Sequence, residues 1–111
     1  MIEIIILNYL EKRLDCPVVL SLEDGFKKSR FVRFERVGSS KTNLINRVSF
    51  AFQSYGSNLL EAAKLNEELK SAISELSGLD EIGSVKLVSD YNFTDDSTKK
   101  YRYQAIYEIY F

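Results

Sequence analysis

Apolar residues return at every second position between Arg47 and Tyr55: Val48, Phe50 and Phe52 fall on one face, Ser49, Ala51 and Gln53 on the other. That period predicts a strand, and the small, polar back face predicts a sheet covered by helices on one side only. From Leu59 the period lengthens. Leu59, Ala62, Leu65, Leu69, Ala72, Ile73 and Leu76 form a stripe wide enough to pack a helix on that sheet. Asn58 stands where the cap belongs, with Glu61 three residues on as in a capping box, and Gly78 gives the exit.

The rest of the chain reads in the same terms. Ile2, Ile5, Ile6, Tyr9 and Leu10 keep helical spacing, Lys12 and Arg13 suit the last turn, and Pro17 stops the segment, so a helix is expected from Ile2 to Leu14. A short strand is expected at Val18–Leu22, followed by a turn at Glu23-Asp24-Gly25. A longer strand starting within Lys27–Arg30 should reach Val37, with Val32 and Phe34 on one side and Arg33 and Glu35 on the other. Two more strands, Val85–Tyr91 and Tyr101–Phe111, are joined by the polar NFTDDSTKK. In the last, Tyr103, Ala105, Tyr107 and Ile109 share one face and Gln104, Ile106, Glu108 and Tyr110 the other. As the final segment, it is expected to leave an edge open for a neighbour.

The expected fold is therefore α+β: a mostly antiparallel sheet of four to five strands with two helices packed on one face, in the order α-β-β-β-α-β-β. A chain of 111 residues forms one domain, residues 1–111, and buries roughly two-thirds of its unfolded surface. The 45% hydrophobic content and single Pro argue against disorder. Seven Tyr and seven Phe fit a β-rich core.

Charge narrows the function classes. Fifteen basic and sixteen acidic side chains nearly cancel, so any role beside nucleic acid must be local or steric. The apolar run Ile4–Leu7 is too short to span a membrane and lacks a signal peptide's basic flank and cleavage site, so a cytosolic product is expected. Cys16 is alone, as in a chain made in a reducing compartment.

Catalytic chemistry has few candidates. No His is present, so triads built on imidazole are excluded, Cys16 has no base to activate it, and a metal would have to rely on carboxylates. Asp90, Asn92 and Thr94 mimic the start of a calcium loop, but Asp95 replaces the turn Gly and Tyr101 the bidentate Glu. The pairs Glu23-Asp24, Glu67-Glu68 and Asp95-Asp96 read as solubilising charge. The five Gly are scattered, with no phosphate cradle among them. No enzyme activity, metal or cofactor is expected.

Lys27, Lys28, Arg30, Arg33 and Arg36 interleave with Phe26, Phe31 and Phe34, and Phe31-Val32-Arg33-Phe34 fits the end of the main RNA-recognition strand motif. Its first half does not fit, since Lys28 stands for a Gly and Ser29 for a stacking aromatic. Sequence-tolerant nucleic-acid binding by the Lys27–Arg36 strand is accordingly the alternative reading.

The leading reading comes from the order of weaker signals between Phe31 and Leu76. A strand ends in Arg36 and a turn with Gly38, a second strand ends in the aromatic-small pair Tyr55-Gly56, and a helix follows with the paired Ala62 and Ala63. With the amino-terminal helix and the closing Arg102-Tyr103 strand, this order resembles the small tail-terminator (tail-completion) proteins of long-tailed bacteriophages, which form a ring closing the head-proximal end of the tail tube. The resemblance spans nearly the whole chain. It implies a structural virion-assembly protein of the tail or neck, assembled in host cytoplasm, whose copies form a ring, a hexamer in that family. The implied partners are the tail-tube protein and the head-completion or connector protein, with DNA passing through the ring. A closed ring needs two different complementary patches on each subunit. Those expected here are the third strand's outer face, the edge of the last strand, and mobile loops at Gly38–Asn43 and Asn92–Lys100, with Arg36, Lys41, Asp95, Asp96, Tyr107 and Tyr110 as contact residues.

Overall fold

A computed structural model describes all 111 residues. Helix α1 (Ile2–Arg13) is followed by β1 (Val18–Val19), β2 (Phe31–Thr42), β3 (Ile45–Gly56), helix α2 (Leu59–Ser74), a 3₁₀ turn at Leu76–Gly78, β4 (Ser84–Asn92) and β5 (Tyr101–Tyr110). The five strands form one sheet in the order β1-β2-β3-β5-β4. Only β1 and β2 run parallel, so the α+β class and the element order are as expected.

Both helices pack on the same side of the sheet. Ile2, Ile6 and Leu10 of α1 and Leu65, Leu69 and Ile73 of α2 share one core with Val32, Phe34, Val48, Phe50, Phe52, Tyr107 and Ile109. The three Phe rings meet edge-on, stacked and tilted, and burying each contributes roughly 1.5–3 kcal/mol. Helix α2 starts where Asn58 Oδ1 accepts the Glu61 amide at 2.8 Å. The Glu61 carboxylate reaches back to the Ser57 amide, one residue beyond the cap, which holds that carboxyl below its usual range. The helix lies against the end of β3 so closely that a Cβ on Gly56 would sit 2.5 Å from the Ala62 nitrogen. The aromatic-small pair Tyr55-Gly56 thus has a packing cause.

Five expectations need correction. β2 begins at Phe31, not within Lys27–Arg30, which belongs to the irregular connection before it. β1 stops at Val19, because only Val18 and Val19 pair with β2. Gly38–Asn43 is not a loop: β2 continues to Thr42, and β2 and β3 meet in a two-residue turn at Asn43-Leu44. Both turn residues take positive φ, 49° and 67°, a geometry whose twist matches that of the flanking strands. The Asn92–Lys100 connection is likewise ordered, with Asp95 and Lys100 exchanging backbone hydrogen bonds and Thr94 bonded to Arg102. Finally, β5 is not an edge; it lies between β3 and β4. Its helix-side residues Ala105, Tyr107 and Ile109 are all buried.

Candidate functional site

The sheet surface turned away from the helices is built from the outward residues of four strands, joined in rows that cross from strand to strand. In the middle row Arg33 on β2 donates to Gln53 Oε1 on β3 at 3.3 Å. Gln53 Nε2 donates to Gln104 Oε1 on β5 at 2.8 Å, and Gln104 Nε2 donates to the Tyr91 hydroxyl on β4. Although no helix covers them, Gln53 and Gln104 are buried within this row. Toward the α2 end, Phe31 stacks on Tyr55 with centroids 4.3 Å apart, and Arg102 spans the Tyr55 and Phe93 rings. Toward the β2–β3 turn, Arg47 donates to Ser40 Oγ and to Glu108 Oε2, at 3.0 and 2.6 Å. These rows tie the strands into a stiff, mixed polar and aromatic surface.

The two sides of the sheet are different. On one, β4 has β5 as its only strand neighbour along all nine of its residues. On the other, β1 pairs only with Val32 and Arg33, which leaves Phe34–Thr42 of the twelve-residue β2 without a partner strand on its outer side, a length of nine again. Because β2, β3, β5 and β4 alternate in direction, the two free edges run antiparallel to each other. Each free edge carries one bulge, between Arg36 and Gly38 on β2 and between Leu87 and Ser89 on β4. The extra residue is a valine in both, Val37 and Val88, and these are 54% and 53% exposed. Bulges commonly guard edges against pairing, usually together with charge. Here each bulge presents an apolar knob instead.

The expected contact residues scatter across this geometry. Arg36 points to the helix side and forms a two-pronged ion pair with Glu3 of α1, at 2.9 and 2.6 Å, which holds the Glu3 carboxyl below its usual range. Lys41 is exposed next to the Asn43-Leu44 turn and takes part in no ion pair. Asp95 is spent on its own turn, accepting from the Ser97 amide and hydroxyl, which lowers its pKa, while Asp96 is exposed beside it. Tyr107 must be corrected. It is 4% exposed within the helix-side core, where burial pushes its hydroxyl pKa up, and it offers no contact surface. Tyr110 lies half-buried on the helix-free face, its hydroxyl 3.3 Å from Glu108.

The Lys27–Arg36 segment also differs from its sequence reading. Arg30 pairs with Asp15 and Glu68, Arg33 with Glu35, and Arg36 with Glu3. Phe31 and Phe34 are buried, so neither ring offers a face to a base. Asp90, the first oxygen of the calcium-like run, accepts from Asn66 and Lys70 on α2. Cys16 is half-buried and its thiol is pushed up by that burial. No helix is long and apolar enough to cross a membrane.

Sequence reasoning missed the Gln53–Gln104 rung and the two bulge valines. Signals existed: a Gln on the outward face of each of two strands, and Val37 and Val88 each falling out of step with the alternation around it. No protein-family model matches the chain, and no curated protein matches it.

Proposed function

We propose that this chain is a structural assembly subunit whose copies join edge to edge into a closed ring. The observation that carries this reading is the pair of free, equally long, antiparallel edges at opposite sides of one sheet, each with an exposed valine at its bulge. Setting β4 of one copy beside Phe34–Thr42 of the next continues the antiparallel ladder. It joins two different surfaces, the kind of contact that closes into a ring when the rotation per copy divides a full turn. The stiff face of cross-strand rows supports the same reading, since a sheet that holds its twist fixes the angle between neighbours.

The resemblance in residue order supports reading that ring as a bacteriophage tail terminator, with six copies by analogy. Its action is competitive: the ring occupies the growing face of the tail tube with a surface that tube protein does not extend, and presents a new one to the head connector. Chemistry has little to work with, given the absence of His and a half-buried, unactivated thiol.

Size-exclusion chromatography with light scattering, followed by negative-stain electron microscopy, tests the reading. Annular particles of one copy number that attach to the end of purified tail tubes support it. A chain that stays monomeric at every concentration and does not bind tube ends overturns it.

A further inference from the structure

A cleft of about 480 Å³ opens at the α2 end of the sheet, between the Leu22–Ser29 loop, the end of β3 and the turn before β5. It takes no part in either free edge. Its apolar side is made by Leu22 and Phe26, with Phe26 edge-on to Phe31 at 4.7 Å and Phe31 stacked on Tyr55. Lys27 and Lys28 line it from one side, Lys99 and Lys100 from the other. All four are exposed and, like every lysine of the chain except Lys70, none forms an ion pair; what sets them apart is that they line one concavity. Glu23 and Asp24 at the lip leave the cleft net positive on a chain of net charge −1.

Two segments 70 residues apart thus bring uncompensated ammonium groups to one concavity beside an aromatic wall. Like charges so placed repel one another, and an anion relieves that repulsion. The volume falls within the roughly 300–1,000 Å³ typical of small-ligand sites, and the combination of apolar wall and cationic rim suits a planar base carrying phosphate. We propose that this cleft binds a nucleotide unit, its base against Leu22 and Phe26 and its phosphates among Lys27, Lys28, Lys99 and Lys100. The unit can belong to a free nucleotide or to a single strand of nucleic acid. This inference is independent of ring formation.

Fluorescence anisotropy of labelled ATP and of a labelled twelve-residue oligothymidylate, each over a series of salt concentrations, provides the test. The doubly substituted Lys27→Glu/Lys28→Glu and Lys99→Glu/Lys100→Glu proteins are compared with Lys12→Glu/Lys64→Glu, which changes charge equally outside the cleft. Each cleft pair should weaken binding by about tenfold or more and flatten its salt dependence, and the control pair by about twofold or less. Cleft-dependent binding of ATP supports the free nucleotide as source; cleft-dependent binding of the strand alone supports nucleic acid. The proposal is overturned if neither probe binds, if the control pair weakens binding as much as the cleft pairs, or if a poly-glutamate peptide competes as well as the nucleotides do.

Discussion

Gln53 and Gln104 face each other across β3 and β5, joined by a 2.8 Å hydrogen bond and buried on the side of the sheet that no helix covers. The pair is the centre of a row that starts at Arg33 and ends at Tyr91. At its centre both amides are matched, and a buried amide left unpaired keeps its desolvation cost; only Arg33 Nε at the β2 end has no partner.

Truncating one member should therefore hurt more than replacing both. Gln104→Ala strips Gln53 Nε2 of its acceptor and is expected to cost about 1–3 kcal/mol, whereas Gln53→Leu/Gln104→Leu should fall closer to the wild type than Gln104→Ala does. Urea denaturation midpoints read out the order, and a double variant less stable than Gln104→Ala would contradict it.

The contact of β3 with α2 gives a sharper expectation at Gly56. A methyl there meets backbone atoms of Glu61 and Ala62 at 2.5–2.9 Å, which a rotamer change cannot relieve. Gly56→Ala should cost about 3 kcal/mol or more, while Gly38→Ala, where nothing lies within 4 Å, should stay within about 0.5 kcal/mol. Thermal melts of the two proteins side by side check this.

Acid should loosen α1 from β2. Arg36 depresses the Glu3 carboxyl below its ordinary 4.5, so the ion pair's contribution is fully present above that value and is lost as pH falls through the lower folded-state pKa. Both groups are partly solvated, so the contribution is at most about 1 kcal/mol. The stability difference between wild type and Glu3→Gln, measured by denaturation from pH 7 to pH 2.5, should be constant above pH 5 and shrink below about 4. A difference that grows toward acid pH would contradict the assignment.

Much of this fold was legible because its strongest signals are local. The alternation Val48, Phe50, Phe52, the stripe from Leu59 to Leu76 and the Asn58 cap each predict an element from neighbours in sequence, and each element formed. Strand order was not local. Whether β5 sits at the edge or inside depends on β4 returning outside it, which no residue of β5 encodes. Gly and polar residues at 38–43 suggest a loop, yet the consecutive positive φ of Asn43 and Leu44 lets the hairpin run to Thr42. The frequency of tyrosine at interfaces points to Tyr107 as a contact; its parity with Ala105 and Ile109 places it instead on the apolar face, where it is buried. Arg36 and Asp95 were visible as charges, but their partners, Glu3 and Ser97, follow from tertiary and turn geometry.

The edge-to-edge ring is tested most directly by two variants and their mixture. Val37→Lys places a charge on the β2 edge and Val88→Lys on the β4 edge, and a charge there opposes strand pairing. Under conditions in which the unsubstituted chain forms rings, native mass spectrometry should find each variant monomeric when alone. An equal mixture should give a one-to-one dimer that grows no further, since only the intact β4 edge of the first and the intact β2 edge of the second can meet. Rings formed by either variant alone, or a mixture that remains monomeric, would contradict the account.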